Sequence, residues 1–81
     1  MIVTFIGGPL HETHVKWDDT PNRYWAETAE GVKVLYEWRC ESGMGIGSNP
    51  IVYTHAIYAV FDMPEDEYRR LLEQVEMPSD L

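Results

Sequence analysis

The sequence is poor in cysteine, poor in positive charge and without any long apolar run. Its 81 residues include one cysteine, Cys40, which excludes a disulfide-stapled scaffold. Six lysines and arginines stand against fourteen aspartates and glutamates, for a net charge of −8. A protein that grips a phosphate backbone needs a basic surface to release counterions, so no nucleic-acid partner is expected. No stretch approaches the roughly 18–20 apolar residues that span a bilayer. The longest candidate, residues 51–61, is interrupted by Thr54 and His55. The first ten residues, MIVTFIGGPL, carry no basic segment of the kind that opens a secretory signal. The expectation is a protein without membrane contact, cytoplasmic, with Cys40 as a reduced thiol.

What is present is ordinary globular material. Apolar residues make up 44% and aromatics 12%, which argues against disorder. The length fits one small domain, residues 1–81, and excludes a two-domain enzyme.

Period-2 alternation runs to residue 61. It predicts strands at about 1–6, 12–18, 23–28, 32–41 and 51–61. Gly7-Gly8-Pro9 breaks the first, and Asp18 to Asn22 has turn composition. Ala29-Glu30-Gly31 suits a tight connection. In the fourth strand Val32, Val34, Tyr36, Trp38 and Cys40 share one face, while Lys33, Leu35, Glu37, Arg39 and Glu41 share the other. Residues 42–50 read as a glycine-punctuated loop. The period then changes: Tyr68, Leu71, Leu72 and Val75 form the stripe of an amphipathic helix at about 63–76. Asp62 is the expected N-cap, with Glu65 as capping-box partner. Strands first and one helix last predict an α+β fold, an antiparallel sheet of four to five strands with the helix packed on one face.

One short helix covers one face of such a sheet. Strand 51–61 is apolar on both. Either the second face is buried, by curling of the sheet or by long neighbouring side chains draped over a central strand, or that face is a patch for a partner. The docking residues expected on the second reading are Val52, Tyr58, Val60 and Leu35, with Met44 and Ile46 as apolar tips of the glycine loop. The exposed members among the tryptophans and tyrosines would be hot spots.

No catalytic or metal-binding constellation emerges. His11 and His14 are an odd number of residues apart and would point to opposite faces of a strand, unable to share a zinc ion. His55 reads as a hydrogen-bonded imidazole within an apolar strand, and Cys40 as a small core residue. Gly43, Gly45 and Gly47 are not followed by the helix or the lysine that a nucleotide loop requires. The protein is therefore expected to be non-enzymatic, with no cofactor and no metal. Seven of the fourteen carboxylates fall in the last third, from Asp62 to Asp80. They read as the wet face of the helix. The alternative is a nucleic-acid mimic, which Arg69 and Arg70 weaken.

The opening Phe5-Ile6-Gly7-Gly8-Pro9-Leu10 resembles the start of small uncharacterised proteins of bacteriophages and prophages, especially those of actinobacteria. In that group a strand, Gly-Gly-Pro and a turn precede further strands, and Asp-Gly commonly follows Pro-Leu. Here His11 and Glu12 take those places. The resemblance implies a viral accessory protein in the host cytoplasm and no particular activity. With the composition, it leads to the expectation of a small acidic protein-binding module that binds a host protein or self-associates as a homo-oligomer. The alternative is a structural subunit or stabiliser of a virion.

Overall fold

Five of the apolar runs form strands: β1 (Ile2–Ile6), β2 (His14–Lys16), β3 (Arg23–Glu27), β4 (Lys33–Met44) and β5 (Val52–Val60). A 3-10 turn (Gly8–Leu10) follows β1, and one helix, α1 (Glu65–Gln74), follows β5. The structure, a computed structural model, describes residues 1–44 and 52–76. The strands make one sheet in the order β2-β1-β5-β4-β3. Neighbours are antiparallel except β1 and β5, which run parallel with Ile2 opposite His55 and Ile6 opposite Ala59. The sheet is therefore mixed, not purely antiparallel as expected. The strand predicted at 12–18 shrinks to three residues on the outer edge. β4 runs three residues past its predicted end, because Gly43 and Met44 pair with Tyr53 and Val52.

The reason for the central parallel pair lies in composition. β1 and β5 are the two strands apolar on both faces, and such strands belong inside a sheet that is covered on both sides. The helix covers one side. Ile6, Ile57, Ala59, Tyr68 and Val75 form a buried cluster there, with Cys40, Met63, Leu71 and Leu72 packed against it. The predicted stripe is the stripe used. The expected N-cap is not: Asp62 turns left-handed at φ 67, Met63 N–H returns to the Val60 carbonyl at 3.1 Å, and Pro64 occupies the cap without a side-chain bond. Glu65, Asp66 and Glu67 still place negative charge at the positive end of the helix dipole.

The sheet's own curl covers the other side. Val3, Phe5, Ala26, Tyr36, Ala56 and Tyr58 form a second buried cluster. Phe5 meets Trp17, Tyr24, Tyr36 and Tyr58 at centroid distances of 5.0–5.8 Å. Trp17, just after edge strand β2, reaches Tyr24 of the opposite edge strand β3 at 4.9 Å. Aromatic mass thus bridges the two edges, and each tilted or edge-on pair adds about 0.5–1.5 kcal/mol beyond its burial.

A bulge decides which cluster β4 feeds. Trp38 pairs with Tyr58 but Cys40 with Ile57, so Arg39 is an inserted residue. One inserted residue reverses every side chain beyond it. Cys40 therefore leaves the face of Tyr36, where alternation placed it, and joins the helix side, 3.6 Å from the Tyr68 hydroxyl. Arg39 reaches over the helix start. It donates to the Met63 carbonyl at 2.6 Å, sits 3.5 Å from a Glu65 carboxylate oxygen and stacks on Tyr68.

After the 3-10 turn the chain reverses at residues 10–13, where Thr13 N–H bonds the Leu10 carbonyl at 2.8 Å. His11 takes φ −51 and ψ 131, and Glu12 takes φ 65. These are type II values, whose second central residue wants glycine. Glu12→Gly is expected to raise stability by about 0.5–1 kcal/mol, with Tm rising by about 3–6 °C in a thermal melt. The surface pair it removes, His11 to Glu12 at 3.7 Å, contributes little.

Candidate functional site

The residues expected to dock a partner divide sharply. Tyr58 has no accessible surface. Its hydroxyl donates to the Pro21 carbonyl. Burial, with help from Asp19 and Glu41, pushes the phenol up to about 12, so it stays neutral. Val60 is half-buried against the same cluster. Tyr58 is core, because the curl seals the face that helix coverage alone would have left open, and Val60 lies at the edge of that core. Val52 and Met44 pair with each other at the far end of the β4–β5 hairpin, and Ile46 lies outside the described residues. Leu35 is half-buried on the opposite, helix-side face.

Leu35 belongs to a site that was only partly foreseen. Trp25 is its cross-strand partner on β3, and Phe61 N–H bonds its carbonyl at 2.8 Å from the other side. Strand alternation puts Trp25, Leu35 and Phe61 on one face, in a row running across β3, β4 and the end of β5. α1 packs over β1, β5 and Cys40 and stops short of this row. Trp25 is 62% exposed and Phe61 40% exposed. Charged residues border the row on both sides, Glu27 and Lys33 in one direction and Arg23 and Glu37 in the other. The Arg23 guanidinium lies over the Phe61 ring, 5.0 Å from its centroid. An apolar centre of Trp, Phe and Leu within a polar rim is the anatomy of a protein-docking patch.

Sequence reading missed Trp25 and Phe61 as members. The signal was available for Trp25: it lies between Arg23 and Glu27 at a spacing of two, so all three share a face, and that face had to be wet. Phe61 was assigned to the apolar strand itself, and only the helix's position shows that its end is uncovered.

A second feature lies at the carboxyl ends of the parallel strands, the place where open sheets leave crevices. An open cleft of about 600 Å³ is lined by Gly7, Gly8, His11, Val60, Asp62, Met63, Glu67 and Leu71, among others. Gly7 N–H donates to His11 Nδ1 at 2.8 Å, which places the imidazole proton on Nε2. His11 is thus a fastener of the Gly-Gly turn. His14 is held separately, its Nδ1 2.9 Å from the buried Thr4 hydroxyl, and His55 is half-buried in β5. Among the described residues no three His, Cys, Asp or Glu side chains converge to hold a metal ion. No described helix is long and apolar enough to cross a membrane. The buried phenols of Tyr36 and Tyr68 are both shifted upward, mainly by burial, and so resist ionisation.

No family model matches the chain, and neither curated proteins nor solved structures yielded a match.

Proposed function

We propose that this protein is a small, acidic, non-enzymatic binding module that docks another protein on the Trp25–Leu35–Phe61 row. The observation that carries this reading is a tryptophan 62% exposed at the centre of a charge-bordered strand. A tryptophan left in water forgoes about 1.5–3 kcal/mol or more of burial, and in an 81-residue chain that surface is valuable to the fold. Tryptophan and arginine on one patch are also the residue types most enriched at binding hot spots. The phage-like opening residues suit the reading, since an accessory protein of this size acts by binding.

The test is affinity capture from source-cell lysate with wild type, Trp25→Ala and Phe61→Ala side by side. A specific partner retained by wild type should bind Trp25→Ala about 30-fold or more weakly, the loss of about 2 kcal/mol typical of an anchor. Circular dichroism should show both variants folded, since neither side chain belongs to the buried clusters. Partners held equally by all three proteins would defeat the reading.

A further inference from the structure

Resting on that docking surface, we infer that its first partner is a second copy of this chain, joined edge to edge through β3. Among the described residues the strand is outermost in the sheet and pairs only with β4. Asn22 and Thr28, flanking it, direct their backbone groups to β4: Trp38 N–H bonds the Asn22 carbonyl, and Thr28 N–H bonds the Val32 carbonyl. Along an antiparallel strand these directions alternate, so Tyr24 and Ala26 also face β4. Arg23, Trp25 and Glu27 therefore direct their N–H and C=O groups away from the sheet, unpaired within it. All three are exposed.

An antiparallel pairing centred on Trp25 uses every one of those groups. It sets Trp25 against its twin. It also sets Arg23 of each copy directly opposite Glu27 of the other. The charges continue the pattern inside each chain, where Arg23 faces Glu37 and Glu27 faces Lys33. Across the assembled sheet the order becomes Glu37, Arg23, then the second copy's Glu27 and Lys33, alternating in sign at each step. Opposite charges directly across a strand pair attract, and like charges repel. Slipping the register one pair either way sets a charged residue against Trp25 and runs the strand into Pro21 or past Ala29. Edges guarded against self-pairing carry like charges, proline or a bulge within the strand. β3 carries two opposite charges placed symmetrically about a tryptophan, which specifies an isologous two-fold contact.

The consequence for the site is direct. Two apolar rows meet end to end at the Trp25 pair, and a three-residue row becomes one continuous six-residue stripe across a ten-stranded sheet. The docking surface is complete only in the dimer.

Sedimentation equilibrium of wild type, Arg23→Glu, Glu27→Arg and the double swap tests this. Wild type should be a dimer that dissociates on dilution. Each single swap places like charges opposite one another and should raise the dissociation constant by about tenfold or more. The double swap sets opposite charges across the seam again, though beside like charges at Glu37 and Lys33 within each chain, and should bring the dissociation constant back below that of either single swap. A wild type that stays monomeric, or a double swap as weak as the singles, overturns the inference. The two readings fail separately. A monomer that still loses its partner on Trp25→Ala removes the dimer and leaves the docking surface. A rescued dimer with no partner sensitive to Phe61→Ala removes docking and leaves the dimer.

Discussion

Tyr58→Glu is expected to unfold the protein, with a loss of about 4 kcal/mol or more, close to the whole stability of so small a domain. The ring lies among Phe5, Trp17 and the strands around them, with no solvent contact. Its hydroxyl is already matched to the Pro21 carbonyl, which ties the segment between β2 and β3 down onto the curled face. A carboxylate at this position would be buried beside that carbonyl without a cation. Loss of far-UV and near-UV dichroism at neutral pH is the expected readout. A folded Tyr58→Glu protein that merely fails to associate would mean that this face is open in solution, and would invalidate the curled sheet described above. By contrast, Trp25→Ala on the other face should fold.

Gly8→Ala is expected to cost about 3 kcal/mol. Gly8 sits at φ +65, where a side chain adds about 1–2 kcal/mol of backbone strain. A Cβ there would also lie 2.7 Å from the Tyr36 hydroxyl and 2.9 Å from a Val60 methyl. The Tyr36 ring has no room to yield. Tyr36 is fully buried, and its hydroxyl donates to the Gly7 carbonyl at 2.6 Å while accepting from Leu10 N–H at 2.9 Å. Displacing it breaks the clamp that holds the 3-10 turn to the sheet, and overpacking of this kind adds about 1–3 kcal/mol. Gly31→Ala is the control. Gly31 has φ +85 in the β3–β4 connection but nothing within 4 Å of a would-be Cβ, so only the backbone term of about 1–2 kcal/mol applies. Urea denaturation of both variants separates the steric term from the dihedral one. Equal losses would show that Tyr36 and Val60 move aside freely.

Much of this architecture was legible in the residues, and the illegible parts have identifiable causes. Alternation located β3, β4 and β5, and the i, i+3, i+4, i+7 spacing of Tyr68 to Val75 located α1. Both signals are local. Which strand lies beside which is not local. The second face of β5 was left open between burial by curl or by neighbouring side chains and a spare patch, and the doubly apolar pattern that β1 shares, which marks the two as central neighbours, was not used to decide. The bulge at Arg39 has no periodic trace, because a single inserted residue changes parity without changing composition, and so Cys40 was assigned to the wrong side. The left-handed Asp62 is invisible for a similar reason: Asp-x-x-Glu before a helix suits a capping box, but Pro64 occupies the cap and leaves Asp62 to make the turn. The docking row was half legible. Leu35 stood out as apolar among charged neighbours, and Trp25 carried the same kind of signal between Arg23 and Glu27.

The parallel contact of β1 with β5 also constrains how the molecule comes into being on the ribosome. The middle of its sheet joins β1 to β5, the earliest and latest of the described strands, with Ile2 opposite His55. Until the chain has been extended past residue 60, β1 has no neighbour but the three-residue β2, and Phe5 has neither Tyr36 nor Tyr58 to rest against. The β3–β4 hairpin, closed by a short loop, is the piece able to form early. For that interval it presents its outer strand and an unsheltered inner face together, the state in which a nascent chain is most exposed to mispairing with its neighbours.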